Sequence, residues 1–407
     1  MLNSPFGPWP NFTDEEAAAV QRVLLSNRVN YWTGEESKEF EREFAVFAGT
    51  NHAIALANGT LALDLALYGL KIGARNGGSP NDEVVVTPRT FIASISAIVN
   101  AGAVPVFADV DIETQNISAE TVAPHISMKT RAIICVHLAG WPCDIDGFRD
   151  LIGSRNIHLI EDCALAHGAR YKGRPVGGLG DVAAWSFCQD KIMTTGGEGG
   201  MVTCNDPDLW SRMWSFKDHG KSWDAIYNRD HPPGFRWLHE TIGTNWRLTE
   251  MQSAIGRIQL KRMPEWHAAR TENARVLFET FLPWGEGDGF LRLPASMFAD
   301  HSDIGKPPHD SRHAWYRFYA FVRPERLPSN LDRDVLINMI SDQGLPCMHG
   351  SCSEVYLEKA FNNTPSRPPQ SLPNAKMLGE TSMMFFTHPG VHRVPVDLVS
   401  ISNNRFH

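Results

Sequence analysis

Lys191 stands in SFCQDKIMTTGGEGG, after the apolar run VAAWSF and before a turn holding Gly196, Gly197, Gly199 and Gly200. A lysine amine can bond a carbonyl carbon or carry a proton, provided its surroundings equip it to do so. Lone lysines at strand exits are ordinarily solvated; this one is set apart by the glycine-dense turn, since glycine has no side chain to keep a ligand from the backbone. Asp162 closes the run IHLIED. A carboxylate there falls at the carboxyl edge of a sheet, where α/β proteins bind ligands, although the position also suits a turn or cap aspartate. Asn58-Gly59-Thr60 separates HAIALA from the helical run LALDLALYGL, which puts small polar residues at a helix N-terminus, an anion site. Ser186, five residues before Lys191, adds a hydroxyl to that anion site. Phe91, in TPRTFIASISAIV, begins a helix and offers a ring face, though aromatics so placed more often belong to the core. A lysine for a Schiff base, an acid for a ring nitrogen, a phosphate cradle and a flat platform are together what pyridoxal phosphate requires of a protein.

The elements that position these residues follow from hydrophobic pattern. From about residue 50 to 205, short apolar runs alternate with helical segments, which predicts parallel strands joined by helical crossovers. The candidate strands are HAIAL, EVVVTP, VPVFADV, RAIICVH, IHLIED, VAAWSF and GMVTC. They are continuously apolar, as strands buried on both faces are. Residues 72–82 read as a polar loop, and residues 220–245 as a long irregular connection of the kind that is often functional. A long helix is expected from Thr249 to about Leu277. The domain boundary is placed near 270, giving a large domain over 1–270 and a small α+β domain over 271–407. The last residues, VHRVPVDLVSISNNRFH, carry neither helical periodicity nor capping signals.

Composition narrows the function classes. The chain has 407 residues, 43% hydrophobic and 21% charged, with net charge -8, long enough for two cores and without the basic surface that nucleic acid or an anionic membrane attracts. No membrane-length apolar run or leader-like N-terminus is present, so a cytoplasmic location is expected. The seven cysteines lack a C-x-x-C pair and read as reduced, mostly buried thiols. Zinc hydrolysis from His137, His167, His219 and the cysteines is disfavoured because no two of the histidines stand at helical or knuckle spacing. A nicotinamide dehydrogenase would suit a parallel sheet equally, but no G-x-G-x-x-G opens a helix after the first strand.

Five segments, in order, carry a resemblance: YWTGEESKEFEREFAVFAGTNHAIALANGTLALDLAL, DEVVVTPRTFIASISAIVNAGAVPVFADVDIETQNIS, HLAGWPCDIDGF, LIEDCALAHGARYKGRPVGGLGDVAAWSFCQDKIMTTGGEGGMV and GTNWRLTEMQSAIGRIQL. Over roughly residues 30 to 390 the chain resembles the DegT/DnrJ/EryC1/StrS sugar aminotransferases. That resemblance implies the fold-type-I architecture of pyridoxal-phosphate enzymes, with a mostly parallel seven-stranded sheet. It makes Lys191 the Schiff-base lysine, Asp162 the partner of the pyridine nitrogen, Phe91 the stacking ring, and Gly59, Thr60 and Ser186 phosphate contacts. Asn245 matches an asparagine that reaches the phosphate of the neighbouring subunit, which implies a homodimer with two shared sites. The implied reaction passes an amine from an amino acid, expected to be L-glutamate, to a nucleotide-linked keto sugar for cell-surface polysaccharide, O-antigen or natural-product sugars. Relatives with histidine in place of the lysine deoxygenate the sugar; a lysine amine can move the proton between cofactor and sugar carbons and points to amination.

Two departures stand out. Leu165 occupies a position near the cofactor's ring oxygen where the family usually has glutamine, and the tail after MMFFTHPG lacks the family's further amphipathic helix, so the small domain is expected to close differently. A binding protein or regulator without turnover is the alternative these departures leave. Substrate selection is assigned to the 220–245 loop, the segment around Trp32 and the small domain, with Trp32, His219 and Arg247 as candidate contacts and no metal.

Overall fold

All seven apolar runs form strands of one sheet in the computed structural model, which describes residues 6–230, 237–294 and 311–391. These are β1 (His52–Leu56), β2 (Glu83–Val86), β3 (Val104–Phe107), β4 (Thr130–Val136), β5 (His158–Asp162), β6 (Val182–Ser186) and β7 (Gly200–Cys204), in the order β1-β7-β6-β5-β4-β2-β3. Strands β2 to β6 pair in parallel. The expected run of parallel crossovers needs one correction: β7 is antiparallel to both β6 and β1. A strand buried on both faces has no alternation to betray its direction. The consequence is local, because β6 turns directly into β7 and the connecting loop, 187–199, carries Lys191.

Alternate side chains of the strands enter two cores. Ile54, Val84, Ile134, Ile160, Ala184 and Val202 pack with α3 (Gly59–Gly69), α4 (Ala93–Asn100) and α6 (Pro207–Lys217) on one face. Ala53, Ala183, Trp185 and Met201 face α2 (Glu36–Ala48) on the other, and Ile133 and Leu159 lie there against α5 (Ile145–Ile152). Helix α1 (Asp14–Leu25) packs on the long helix α8 (Glu250–Gly285), which follows the short α7 (Trp223–Tyr227) in the chain, through Ala19, Val23, Ala254 and Ile258.

Helix α8 begins at a capping box of Thr249 with Gln252 and runs over Glu250–Gly285, past the expected end at Leu277 and through the residue-270 boundary. Its apolar side chains change partners within that span. Leu260, Met263 and Trp266 face the large-domain core, whereas Ala274, Leu277, Phe278, Phe281 and Trp284 face the small domain. The small domain is built on an antiparallel sheet of β8 (Leu291–Arg292), β9 (Arg317–Val322), β10 (Cys347–Met348) and β11 (Ser382–Phe386), in the order β8-β9-β11-β10. Helices α9 (Arg333–Asp342) and α10 (Pro373–Thr381) accompany it. The tail from residue 392 on, where an atypical end was expected, and residues 231–236 of the long loop lie outside the described residues. None of the seven cysteines is in a disulfide; five are buried, Cys188 is half-buried and Cys352 is exposed.

Candidate active site

The ends of β1, β5 and β6 and the start of β7 come together at one edge of the sheet, where Leu56 and Ser186 both pair with Gly200. A cavity of about 750 Å³ opens there, lined by Asn58, Gly59, Thr60, Phe91, Asp162, Leu165, Ser186 and Lys191, with Tyr316, Ser351 and Cys352 contributed by the small domain.

Asp162 is the last residue of β5 and is buried. Its Oδ2 accepts from the Ser94 hydroxyl at 2.8 Å and its Oδ1 from the Ala164 N–H at 3.1 Å. Burial pushes its pKa up, and Ala164, Ser94 and the Lys191 charge offset only part of that. The preceding residue differs. Glu161 is also fully buried, but its oxygens accept from Gly177, Leu179 and Gly180 N–H groups at 2.7–2.9 Å and from His137 Nε2 at 3.1 Å. Because the Cys143 N–H donates to His137 Nδ1 at 3.0 Å, the ring proton belongs on Nε2.

Lys191 is fixed through its backbone. Its N–H donates to Cys188 O at 3.0 Å and its carbonyl accepts from Trp9 Nε1 at 3.0 Å, while Thr194 N–H is held by Gln259 Oε1 at 2.8 Å. The amine lies 3.8 Å from Asp190 Oδ1 and 5.6 Å from the Tyr316 ring centre. His167, buried against Trp185 and Phe187, has its pKa pushed down to about 3, chiefly by burial and then by Lys191 and Arg270. It is neutral there.

The anion cradle has a steric basis. A Cβ on Gly59 would stand 2.6 Å from Ser186 Cβ, so only glycine lets α3 start against the end of β6. Asn58 caps the helix by accepting from Leu61 N–H at 2.9 Å, which leaves the N–H groups of Gly59 and Thr60 beside the Ser186 hydroxyl at the positive end of the helix. Phe91 precedes α4 by two residues instead of beginning it. It is 75% exposed and lines the cavity, outside the core.

Trp32, His219, Asn245 and Arg247 do not line this cavity of their own chain. They gather around buried Asp218, which accepts from Arg247 Nη1 at 2.7 Å and Trp32 Nε1 at 3.3 Å. Lys221 lies 3.4 Å from the same carboxylate oxygen and 3.9 Å from the Trp32 ring centre. Asn245 bridges Asp218 through the backbone and is exposed, as is His219. Sequence spacing also missed two groupings. The ligand-type atoms of His137, Glu161 and Cys163 lie within 4.8 Å of one another, brought together from adjacent strands; the four donors on Glu161 make this a hydrogen-bonded network. Asp190 and Tyr316, joined at 2.5 Å, come from separate domains and had no motif to announce them.

Pyridoxal phosphate fits this donor set. Asp162 is a buried carboxylate with two protein donors among the described residues, half the number on Glu161, and an added cationic ring N–H would complete it. Lys191 would bond the group, Gly59, Thr60 and Ser186 would hold its phosphate, and Phe91 would cover its ring.

Residues 10–401 match the DegT/DnrJ/EryC1/StrS aminotransferase family. The GDP-perosamine synthase of Escherichia coli O157:H7 is 40% identical over 66% of this chain and 68% of its own. The dTDP-3-amino-3,4,6-trideoxy-alpha-D-glucose transaminase of Streptomyces venezuelae is 34% identical over 93% of this chain and 88% of its own. The crystal structure of an aminotransferase from Psychrobacter cryohalolentis is 57% identical over 96% of both chains, with a TM-score of 0.91.

Proposed function

Because the chain belongs to the DegT/DnrJ/EryC1/StrS aminotransferase family and is a pyridoxal-phosphate enzyme, we propose that it moves an amino group from L-glutamate to a nucleotide-linked keto sugar. The setting is the cytoplasm, and the product serves a cell-surface polysaccharide or a natural-product sugar. Among the described residues no helix is long and apolar enough to cross a membrane. The observation that carries the reading is the convergence of Lys191, buried Asp162 and the Gly59-Thr60 helix start on one cavity at the junction of the two domains.

When bound, pyridoxal phosphate supplies an electrophilic carbon and a ring that accepts electrons. Asp162, left with spare acceptor capacity, keeps the ring nitrogen protonated. The helix start and Ser186 anchor the phosphate, and Phe91 fixes the ring plane. Lys191 Nζ would move one proton from the donor's α-carbon to the cofactor carbon and, in the second half-reaction, one from the cofactor carbon to the sugar carbon. A histidine there could not re-form the bond to the cofactor as an amine does.

Asn245 is assigned to the phosphate of a neighbouring subunit in a homodimer, and Trp32, His219 and Arg247 to that subunit's sugar nucleotide. Their exposure or their gathering around Asp218, away from their own cavity, supports this assignment. The test is a panel of keto-sugar nucleotides with glutamate, read by mass spectrometry. A product carrying one amine in place of one keto oxygen is expected from the parent and not from Lys191→Ala. Equal product from both would overturn the reading.

A further inference from the structure

We propose that Asp190 and Tyr316 form a positioning pair that holds the free amine of Lys191 between its two tasks, bonding the cofactor and carrying the proton. The inference rests on the reading of Lys191 given above and adds a small-domain residue to its control.

Asp190 directly precedes the lysine in the β6–β7 loop, and Tyr316 enters from the small domain one residue before β9. The Tyr316 hydroxyl donates to Asp190 Oδ2 at 2.5 Å. The other oxygen, Oδ1, faces Lys191 Nζ at 3.8 Å, and Nζ sits over the Tyr316 ring. One carboxylate is thus divided between the two, with one oxygen pinned and one presented to the amine. The hydroxyl is in turn 3.3 Å from Arg317 Nη2, whose Nη1 donates to Tyr316 O at 2.9 Å.

The protonation states suit this division. Burial works to raise the Asp190 pKa, and Lys191, the Tyr316 hydroxyl and Arg317 together hold it below the usual carboxylate range. Burial raises the Tyr316 phenol. Asp190 therefore stays an anion and Tyr316 a donor. The other charged or titratable groups near the pair are Arg317 and Tyr319 on the strand that follows the tyrosine, buried Arg270, whose Nη1 lies 3.5 Å from Tyr316 O, and Cys188, Glu198 and Asp162 around the cavity; His167 behind the lysine is neutral.

A lysine that leaves the cofactor has four rotatable bonds and a new positive charge once it accepts a proton. Oδ1 gives that ammonium one direction to face. Within each half-reaction the proton taken from one carbon stays on Nζ opposite Oδ1 until it is delivered to the other, and Asp190 is unchanged at the end. Because Tyr316 belongs to the small domain, the amine is held only while the two domains are in register.

The test measures the pH midpoint of the lysine in two ways. The visible band that pyridoxal phosphate acquires on bonding Lys191 is titrated in the loaded protein. In cofactor-free protein, the rate at which an acylating reagent modifies Lys191 is followed against pH by peptide mass spectrometry. Asp190→Asn removes the negative charge that faces Nζ at 3.8 Å, so both midpoints should fall below the parent's. Its donor half-reaction should slow roughly ten- to hundredfold with little change in glutamate KM. Asp190→Glu, which keeps the charge, should stay near the parent. Tyr316→Phe, which keeps the carboxylate, should move the midpoints less than Asp190→Asn does. If Asp190→Asn does not fold, Asp190→Ser takes its place with the same expectation. Unmoved midpoints in the neutral variant, or a Tyr316→Phe shift as large, would overturn the proposal. A parent without a Lys191-dependent band would instead overturn the functional reading, with the acylation measurement still judging the pair.

Discussion

Glu161 and Asp162 are neighbours on one strand, both buried, yet they face opposite sides of the sheet and meet opposite conditions. On the Glu161 side, burial works to raise the pKa, and His137 with the Gly177 and Gly180 N–H groups outweighs it, so the carboxyl lies below its ordinary 4.5. On the Asp162 side, two donors do not compensate burial and the pKa lies above its ordinary 3.8. The saturated carboxylate is structural, whereas the undersupplied one faces a cavity with acceptor capacity to spare. A buried acid identifies a ligand site when its donors are too few.

That contrast is open to direct attack. The largest effect on activity should come from Asp162→Asn, which removes the fixed charge opposite the ring nitrogen: turnover falls about a hundred- to thousandfold. Stability should not fall with it. An acid whose folded pKa is raised stabilises the fold only at low pH and opposes it once pH rises past its unfolded value, so the cofactor-free variant should melt at or above the parent's temperature at pH 7. A clear loss of Tm would place Asp162 with Glu161 as a structural acid.

Glu161→Gln should do the reverse. It leaves at least one buried N–H of Gly177, Leu179, Gly180 or His137 without its charged acceptor, at about 1–3 kcal/mol, seen as a Tm lower by a few degrees, while the folded variant still gains the visible band with pyridoxal phosphate. The loss depends on pH with a definite sign. A lowered carboxyl pKa stabilises above the unfolded value and ceases to do so as pH falls through the folded one. The Tm gap between parent and Glu161→Gln should therefore be full above the ordinary carboxylate value of about 4.3 and close as pH falls through the lowered value of the folded carboxyl. A gap that widened in acid would contradict the assigned charge.

Smaller effects test the cavity's walls. Phe91→Ala should weaken cofactor binding up to about tenfold, the value of a ring stack beyond its buried area, read by fluorescence titration. Leu165→Gln should change it by about two- to tenfold, the net value of one hydrogen bond. An increase in affinity there would mean that the cavity has room for the amide the family usually carries.

The strands were legible because unbroken apolar runs such as EVVVTP and RAIICVH have no alternative to burial on both faces. The antiparallel sense of β7 was not, since such a run has no polar side to show its direction. The end of α8 was misjudged because its buried face continues from the large-domain core past His267 and Arg270 to the small-domain core, with Pro264 and Pro283 inside the helix. Lys191, Asp162 and Gly59-Thr60 could be found because each sits at the end of an apolar run, where the sheet edge must lie. Tyr316 could not, because its partner is 126 positions away and nothing in AWYRFY announces a contact with the lysine loop. His137, Glu161 and Cys163 were likewise joined only by strand pairing, with Val136 opposite Asp162 in the register of β4 and β5.

The central claim is that Lys191 is the residue that bonds the cofactor, and the most direct measurement is to load the protein with pyridoxal phosphate, reduce it with borohydride and map the modified peptide by mass spectrometry. The added mass should lie on Lys191, at close to one per chain, and be lost when L-glutamate is added before reduction. Stable labelling of another lysine with Lys191 unmodified would contradict the account.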